Sequence, residues 1–490
     1  MDDEEYLELF QTDIVEGIVD LLIVQSDVSD FSIEPSGNPL VMAALTTMTQ
    51  SEENWLHVVG WSIRKVPKFA LNVIRDVIRD MPCPTVDTVH RLLGDLLKLS
   101  PRRATNPSDN RQAERNICVV LTCLANKLAG RASTQIFTRN VCDYLFEFFL
   151  MRRKSRQLLM ALLTLEKFAV VHETKTIIVK KFSQLERNPL FDLLEYDKSE
   201  ENYPRQIGFC ARWALDNVFP VTRRQPSYLT VDMSRINVIF NQNTQKFMKI
   251  SPDGLELRCD TEDFGSLRAT CGVTHGTYYF EVLLITGGPM RIGLVTSLSP
   301  MTDTYAIGKD DTSFGYDGST RCLWNKGVSR DLFGIHTWQP GYVIGFLVNT
   351  VKKRIYFVQN KSTVIVSLPE FFSNPQGNKK YYPAVTMAPY VQCRFNFGSE
   401  PFCYRSPERG PYSTFNEVGS LTPEEKMVKP RNEFQSENSV YNEDANACEI
   451  CYDNNANSKL LPCGHDTFCR ECTSKCKACP ICRDAITERV

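Results

Sequence analysis

Residues 448–482 hold eight cysteines and one histidine, His465. So short a segment cannot bury enough apolar surface to fold around a core of its own, and thiols with an imidazole point to zinc as the substitute. Cys-x2-Cys pairs stand at 448/451, 469/472 and 479/482, the spacing at which two thiolates on one tight turn share a tetrahedral ion. Cys463-x-His465 makes a fourth pair. Cys476, four residues after Cys472 and three before Cys479, belongs to none of them and is left over.

The whole chain of 490 residues is long enough for two or three domains. With 56 basic and 58 acidic residues the formal net charge is −2, so no long-range field favours nucleic acid or an anionic membrane. The other ten cysteines stand singly in apolar contexts, which fits a reducing compartment better than a disulfide framework. The opening "MDDEEYLELF" lacks the features of a secretory signal, and the longest apolar run, Leu158 to Leu165 with one Thr in it, is far short of the roughly 20 residues of a membrane span. A cytoplasmic protein with no membrane or nucleic-acid partner is expected.

From about residue 40 to 222 the apolar spacing is helical. Ile117, Val120, Leu121, Leu124 and Leu128 share one face of a 3.6-residue period, Leu158 to Val171 is apolar nearly all round, and "GFCARWALDNVF" gives a third helix. Their spacing is in the range of armadillo or HEAT repeats. After "PVTRRQPSY" the pattern changes to short runs rich in Tyr, Phe, Val and Ile between turn residues, such as "TYYFEVLLI", "RIGLVTS" and "YVIGFLVN", which reads as an antiparallel β-sandwich. Residues 401–446 have few apolar positions and read as a linker, with one short helix after Thr422. The expected division is 1–225 helical and armadillo-like, 226–400 sandwich, 401–446 linker and 447–486 zinc finger.

Gly276, Tyr278, Phe280, Glu281 and Val282, then "FGYDG", "LW", "IGF" and "YYPAV", resemble a SPRY domain in order and spacing over roughly 228–400. Two positions depart from that pattern: Tyr342 replaces the usual Asp of "GDVIG", and Asn360-Lys361 replaces an Asn-Gly turn. At the C-terminal end, three Cys, one His and four Cys resemble a RING finger of C3HC4 order. Helices, SPRY and C-terminal RING together resemble the RING finger and SPRY domain-containing proteins.

The resemblance implies a cross-brace with two structural zinc ions, one held by Cys448, Cys451, Cys469 and Cys472, the other by Cys463, His465, Cys479 and Cys482. It implies a RING-type E3 ubiquitin transferase that carries no ubiquitin thioester itself. Ile450, Pro480 and Ile481 match the contacts to a ubiquitin-conjugating enzyme, and Arg483 matches the linchpin that bridges that enzyme and its ubiquitin. Cys476 stands where many RING fingers present Trp or Leu. SPRY loops and the helical domain are expected to recruit the protein substrate. A zinc-stabilised adaptor without ligase activity is the alternative, and RNA binding finds no basic-aromatic stripe to support it. No Ser-His-Asp set, Walker loop or HExxH suggests other chemistry.

Overall fold

The computed structural model describes residues 13–14, 16–24, 39–67, 71–98, 107–128, 131–150, 156–222, 224–240, 248–261, 264–301, 305–334, 336–360, 362–373, 380–429, 456–474, 476, 478–480 and 485–490. The sandwich and helix Asn202–Asn217 belong to a compact unit that runs Leu194–Arg431, and the helices before Leu194 belong to another. Among the described residues no helix is long and apolar enough to cross a membrane.

In the N-terminal region, helix Pro107–Lys127 packs against helix Arg156–Phe168, whose residues are buried almost all round as their composition predicts. The Thr122 and Thr164 hydroxyls meet at 2.9 Å between the two helices, both buried. Helix 107–127 also caps two of its predecessors. Buried Asn116 donates to the carbonyls of Ile63 and Val66 at 2.9 and 2.8 Å, and Arg115 adds a bond to Val66 at 3.0 Å, satisfying the end of helix Glu52–Lys65. Lys127 donates to the carbonyls of Ile78, Arg79 and Met81 at 2.6, 2.8 and 2.5 Å, closing the end of helix Leu71–Asp80. Orphan C-terminal carbonyls with cations against them are the favourable arrangement at a helix end.

The sandwich has two antiparallel sheets, as the SPRY resemblance implies. One runs in the order Met248–Ile250, Glu256–Cys259, Gln392–Asn396, Thr277–Leu284, Val343–Asn349, Arg354–Gln359 and Ser362–Ser367. The other runs Gly265–Arg268, Tyr381–Met387, Met290–Thr296, Ser313–Asp317, Cys322–Asn325 and Val328–Asp331. Alternate residues of facing strands fill the core, where the rings of Phe280 and Phe346 stack at 4.8 Å and Tyr316 lies between Trp338 and Phe357. Gly318 is required by this packing, since a Cβ there would fall 1.7 Å from the Trp338 ring. Asn360 takes φ +46° in the turn where the SPRY pattern has Asn-Gly.

The outer face of the first sheet is roofed by the chain on both flanks. Helix Asn202–Asn217 lies over its Met248–Ile250 and Glu256–Cys259 end. Arg205 Nη2 meets Glu256 Oε2 at 2.6 Å, Gln206 accepts from buried Arg258 at 3.0 Å, and the Lys249 ammonium sits 4.6 Å from the centre of the Trp213 ring. At the other end the segment after residue 400, expected as linker, forms a strap. Its Cys403 and Tyr404 N–H groups donate to the buried Glu281 carboxylate at 2.7 and 2.8 Å, and Ser413–Thr414 pairs in parallel with Thr277–Leu284. Thr414 and Glu417 form a capping box that opens helix Phe415–Val418, and fully buried Phe415 reaches the core beside Phe280. Asn416 and Asn237 then clasp each other's backbone at 2.8 and 3.1 Å. The helix expected after Thr422 is a single turn, in which Thr422 and Glu425 exchange backbone-to-side-chain bonds.

Candidate metal centre

Strand Leu460–Leu461 pairs with Glu488–Arg489, and the chain turns sharply after it. Gly464, at φ +79°, donates its N–H to the Leu460 carbonyl while Leu460 N–H bonds His465 O at 2.7 Å. That turn brings Cys463 and His465 to one side. Cys479 joins them from the far side of helix Arg470–Ser474, held where Ala478 bridges Ala485. The ligand atoms of Cys463, His465 and Cys479 all lie within 4.8 Å of one another, and Cys479 Sγ is 3.5 Å from His465 Nδ1. Two thiols and an imidazole converging in this way fit three corners of a tetrahedral zinc.

Cys469 and Cys472 flank the first turn of the short helix, where the Cys472 N–H points at Cys469 Sγ across 3.4 Å. They stand as a second pair of donors, outside the first group. Leu460, Phe468, Cys469 and Cys479 form a small apolar cluster with Ile486 packed on it, an interior of the size a finger this short can build. Thr473 is fully buried, with its hydroxyl near Ser458 Oγ and the Cys469 carbonyl, each at 3.2 Å.

Cys476 is half-buried, its thiol 3.4 Å from the Cys472 carbonyl. Pro480 is exposed beside Cys479. Cys448, Ile450, Cys451, Ile481, Cys482 and Arg483 lie outside the described residues. One residue at this centre escaped sequence reasoning: Arg489 donates to the carbonyls of Thr473 and Cys476 at 2.9 and 2.6 Å. Only its position in a strand facing Leu460 signals the role, and nothing in "DAITERV" reveals that.

The second sheet of the sandwich carries a separate buried charge pair. Arg291, fully buried, places its guanidinium 3.8 Å from the Trp324 ring centre and Nε 3.8 Å from Asp317 Oδ2. Burial pushes the Asp317 carboxyl above its usual range, against the bonds from Ser319 and the Arg291 charge that favour ionisation. Fully buried against the Trp324 ring, the pair reads as structure.

Two family descriptions match this chain: the SPRY domain over residues 277–400, and the C3HC4-type zinc finger, or RING finger, over residues 444–489. Among curated proteins, the E3 ubiquitin-protein ligase RKP of Arabidopsis thaliana is 34% identical over 147 residues, which are 29% of this chain and 11% of that one. The RNA-binding E3 ubiquitin-protein ligase MEX3C of Homo sapiens is 42% identical over 48 residues, 9% of this chain and 7% of its own. The chain thus spans about a tenth or less of the length of either relative. Among solved structures, the SPRY domain of human HERC1 aligns at 15% identity with a TM-score of 0.27, covering 32% of this chain and 96% of that one.

Proposed function

We propose that this chain, a protein with a helical region, a SPRY domain and a C-terminal RING finger, is a RING-type E3 ubiquitin ligase. The observation that carries the reading is the convergence of Cys463, His465 and Cys479 inside the segment that matches the C3HC4 finger. Zinc would be held as two ions, by Cys448, Cys451, Cys469 and Cys472 and by Cys463, His465, Cys479 and Cys482. When bound, the metal supplies folding energy and a fixed shape, since four protein ligands leave no open position.

Function then rests on the surface so held. Ile450, Pro480 and Ile481 form the apolar contact to a ubiquitin-conjugating enzyme. Arg483 donates from a planar guanidinium to the enzyme and to the ubiquitin it carries, holding the thioester carbonyl oriented towards the attacking lysine. The substrate docks through the SPRY loops and the helical region. The roofing of the first sheet's outer face by helix 202–217 and the strap supports loops over that face.

The test is discharge of ubiquitin from a loaded conjugating-enzyme panel onto free lysine by the full chain. Wild type should accelerate it, and Ile450→Ala and Arg483→Ala should not while retaining bound zinc. A chain that holds zinc yet accelerates no enzyme in the panel would be an adaptor. The small Cys476 thiol turned to the Cys472 carbonyl is the feature that favours that second reading.

A further inference from the structure

Helix Arg470–Ser474, which carries Cys472, has no basic residue in its own last turn. The charge arrives from elsewhere. Arg489 is fixed by the backbone ladder to Leu460, with Lys459 and Val490 exchanging bonds at 2.7 and 2.9 Å next to it and Thr487 bonding Leu461 at 2.9 Å. From that strand its guanidinium crosses to the helix end, Nε donating to Thr473 O at 2.9 Å and Nη2 to Cys476 O at 2.6 Å. Cys476 N–H in turn bonds the Thr473 carbonyl at 3.1 Å. Charged donors on the last carbonyls of a helix are among the stronger hydrogen bonds a surface can make.

These bonds fix the exit of the helix at Cys476, three residues before Cys479 and four before exposed Pro480. The Thr473 hydroxyl ties the same turn to Ser458 at 3.2 Å. The strand that anchors Arg489 is paired with the one that leads into Cys463 and His465. One side chain therefore couples the strand that leads into Cys463 and His465 to the helix exit at Cys476.

We infer that Arg489 is a positioning residue: it fixes the helix exit at Cys476, and through it the placement of Pro480 and the affinity for the conjugating enzyme, without touching the reacting atoms. The inference rests on the ligase reading above. A fork of two donors to two carbonyls is a task for which lysine is a partial substitute and alanine none.

The experiment is ubiquitin discharge by the full chain over a concentration series of loaded conjugating enzyme, with Arg489→Ala and Arg489→Lys, and bound zinc measured in each. Arg489→Ala should keep the wild-type zinc content and raise KM about tenfold with kcat nearly unchanged. Arg489→Lys should fall between it and wild type. An unchanged KM in zinc-loaded Arg489→Ala overturns the inference and leaves the ligase reading standing. Loss of zinc in both variants also overturns it, because Arg489 is then part of the metal scaffold alone. A zinc-loaded wild type that discharges no enzyme sinks the ligase reading, and the positioning role with it.

Discussion

Arg205 of helix Asn202–Asn217 and Glu256 of the first sheet face each other at 2.6 Å, their side chains only 18% and 6% exposed. A pair this sheltered is costly to break from one side, because the remaining charge has little water to retreat to. Arg205→Ala should destabilise the sandwich by about 3 kcal/mol. The sharper version removes the whole helix. A fragment of residues 194–431 should unfold cooperatively in urea, whereas a fragment beginning at residue 226 should be markedly less stable or insoluble. Equal midpoints for the two fragments would show that the helix contributes nothing.

Acid should loosen the same region. Burial alone would raise the Asp260 carboxyl, but Arg258 at 2.8 Å and Lys249 at 2.9 Å outweigh it and bring its pKa down to about 2, against an ordinary 3.8. A carboxylate depressed in the folded state adds stability above its unfolded pKa and loses it as pH falls through the folded one. About 2 kcal/mol is therefore lost between about pH 4 and pH 2. Asp260→Asn should be less stable than wild type at neutral pH, and the difference should shrink as the pH drops through that window. A pH-independent difference would contradict the assignment.

One carboxylate anchors the start of the strap. Glu281 accepts the N–H groups of Cys403 and Tyr404 and, at 2.9 Å, the hydroxyl of Tyr279. Glu281→Gln removes the charge and turns a donor towards at least one of them, at a cost of about 2 kcal/mol. Hydrogen exchange at the amides of Cys403 and Tyr404 should speed up strongly, while Phe280 and Phe346 in the core stay protected.

Zinc content should sort the cysteines. Cys463→Ser and Cys479→Ser should each lower bound metal by about one ion per chain, and Cys476→Ser should leave it unchanged. Chelation should expose the amide of Leu460, buried in the finger's small cluster. Metal loss in Cys476→Ser would return the leftover cysteine to the ligand set.

Much of this was legible because its signal is local. The face shared by Ile117, Val120, Leu121 and Leu124 marks helix Pro107–Lys127, and alternating runs such as "TYYFEVLLI" mark strands. The spacing of Cys463, His465 and Cys479 likewise singled out residues that the fold brings together. What stayed hidden depends on partners far away in sequence. Residues 401–418 read as linker because they are poor in apolar groups, yet Phe402 packs against Tyr279, and Phe415 fills the core. Their backbone finds its acceptor on Glu281, 122 and 123 residues away, where nothing in the strand advertises the bond. Arg489 escaped notice for the same reason: a guanidinium that caps another element's helix looks, in sequence, like any terminal arginine.

The clasp between Asn237 and Asn416 sets a schedule for biosynthesis. In the helical region the capping bonds span intervals such as 49 residues for Lys127 to Ile78 and 50 for Asn116 to Val66, so each helix finds its partner soon after it leaves the ribosome. The sandwich closes over 179 residues, and Lys426 reaches back 193 to the Met233 carbonyl. A nascent chain stalled after residue 400 would carry all strands of the two sheets except Ser413–Thr414 and would still lack Phe415 in their core. Such an intermediate exposes apolar surface on the ribosome and is a natural client for chaperones until the strap emerges.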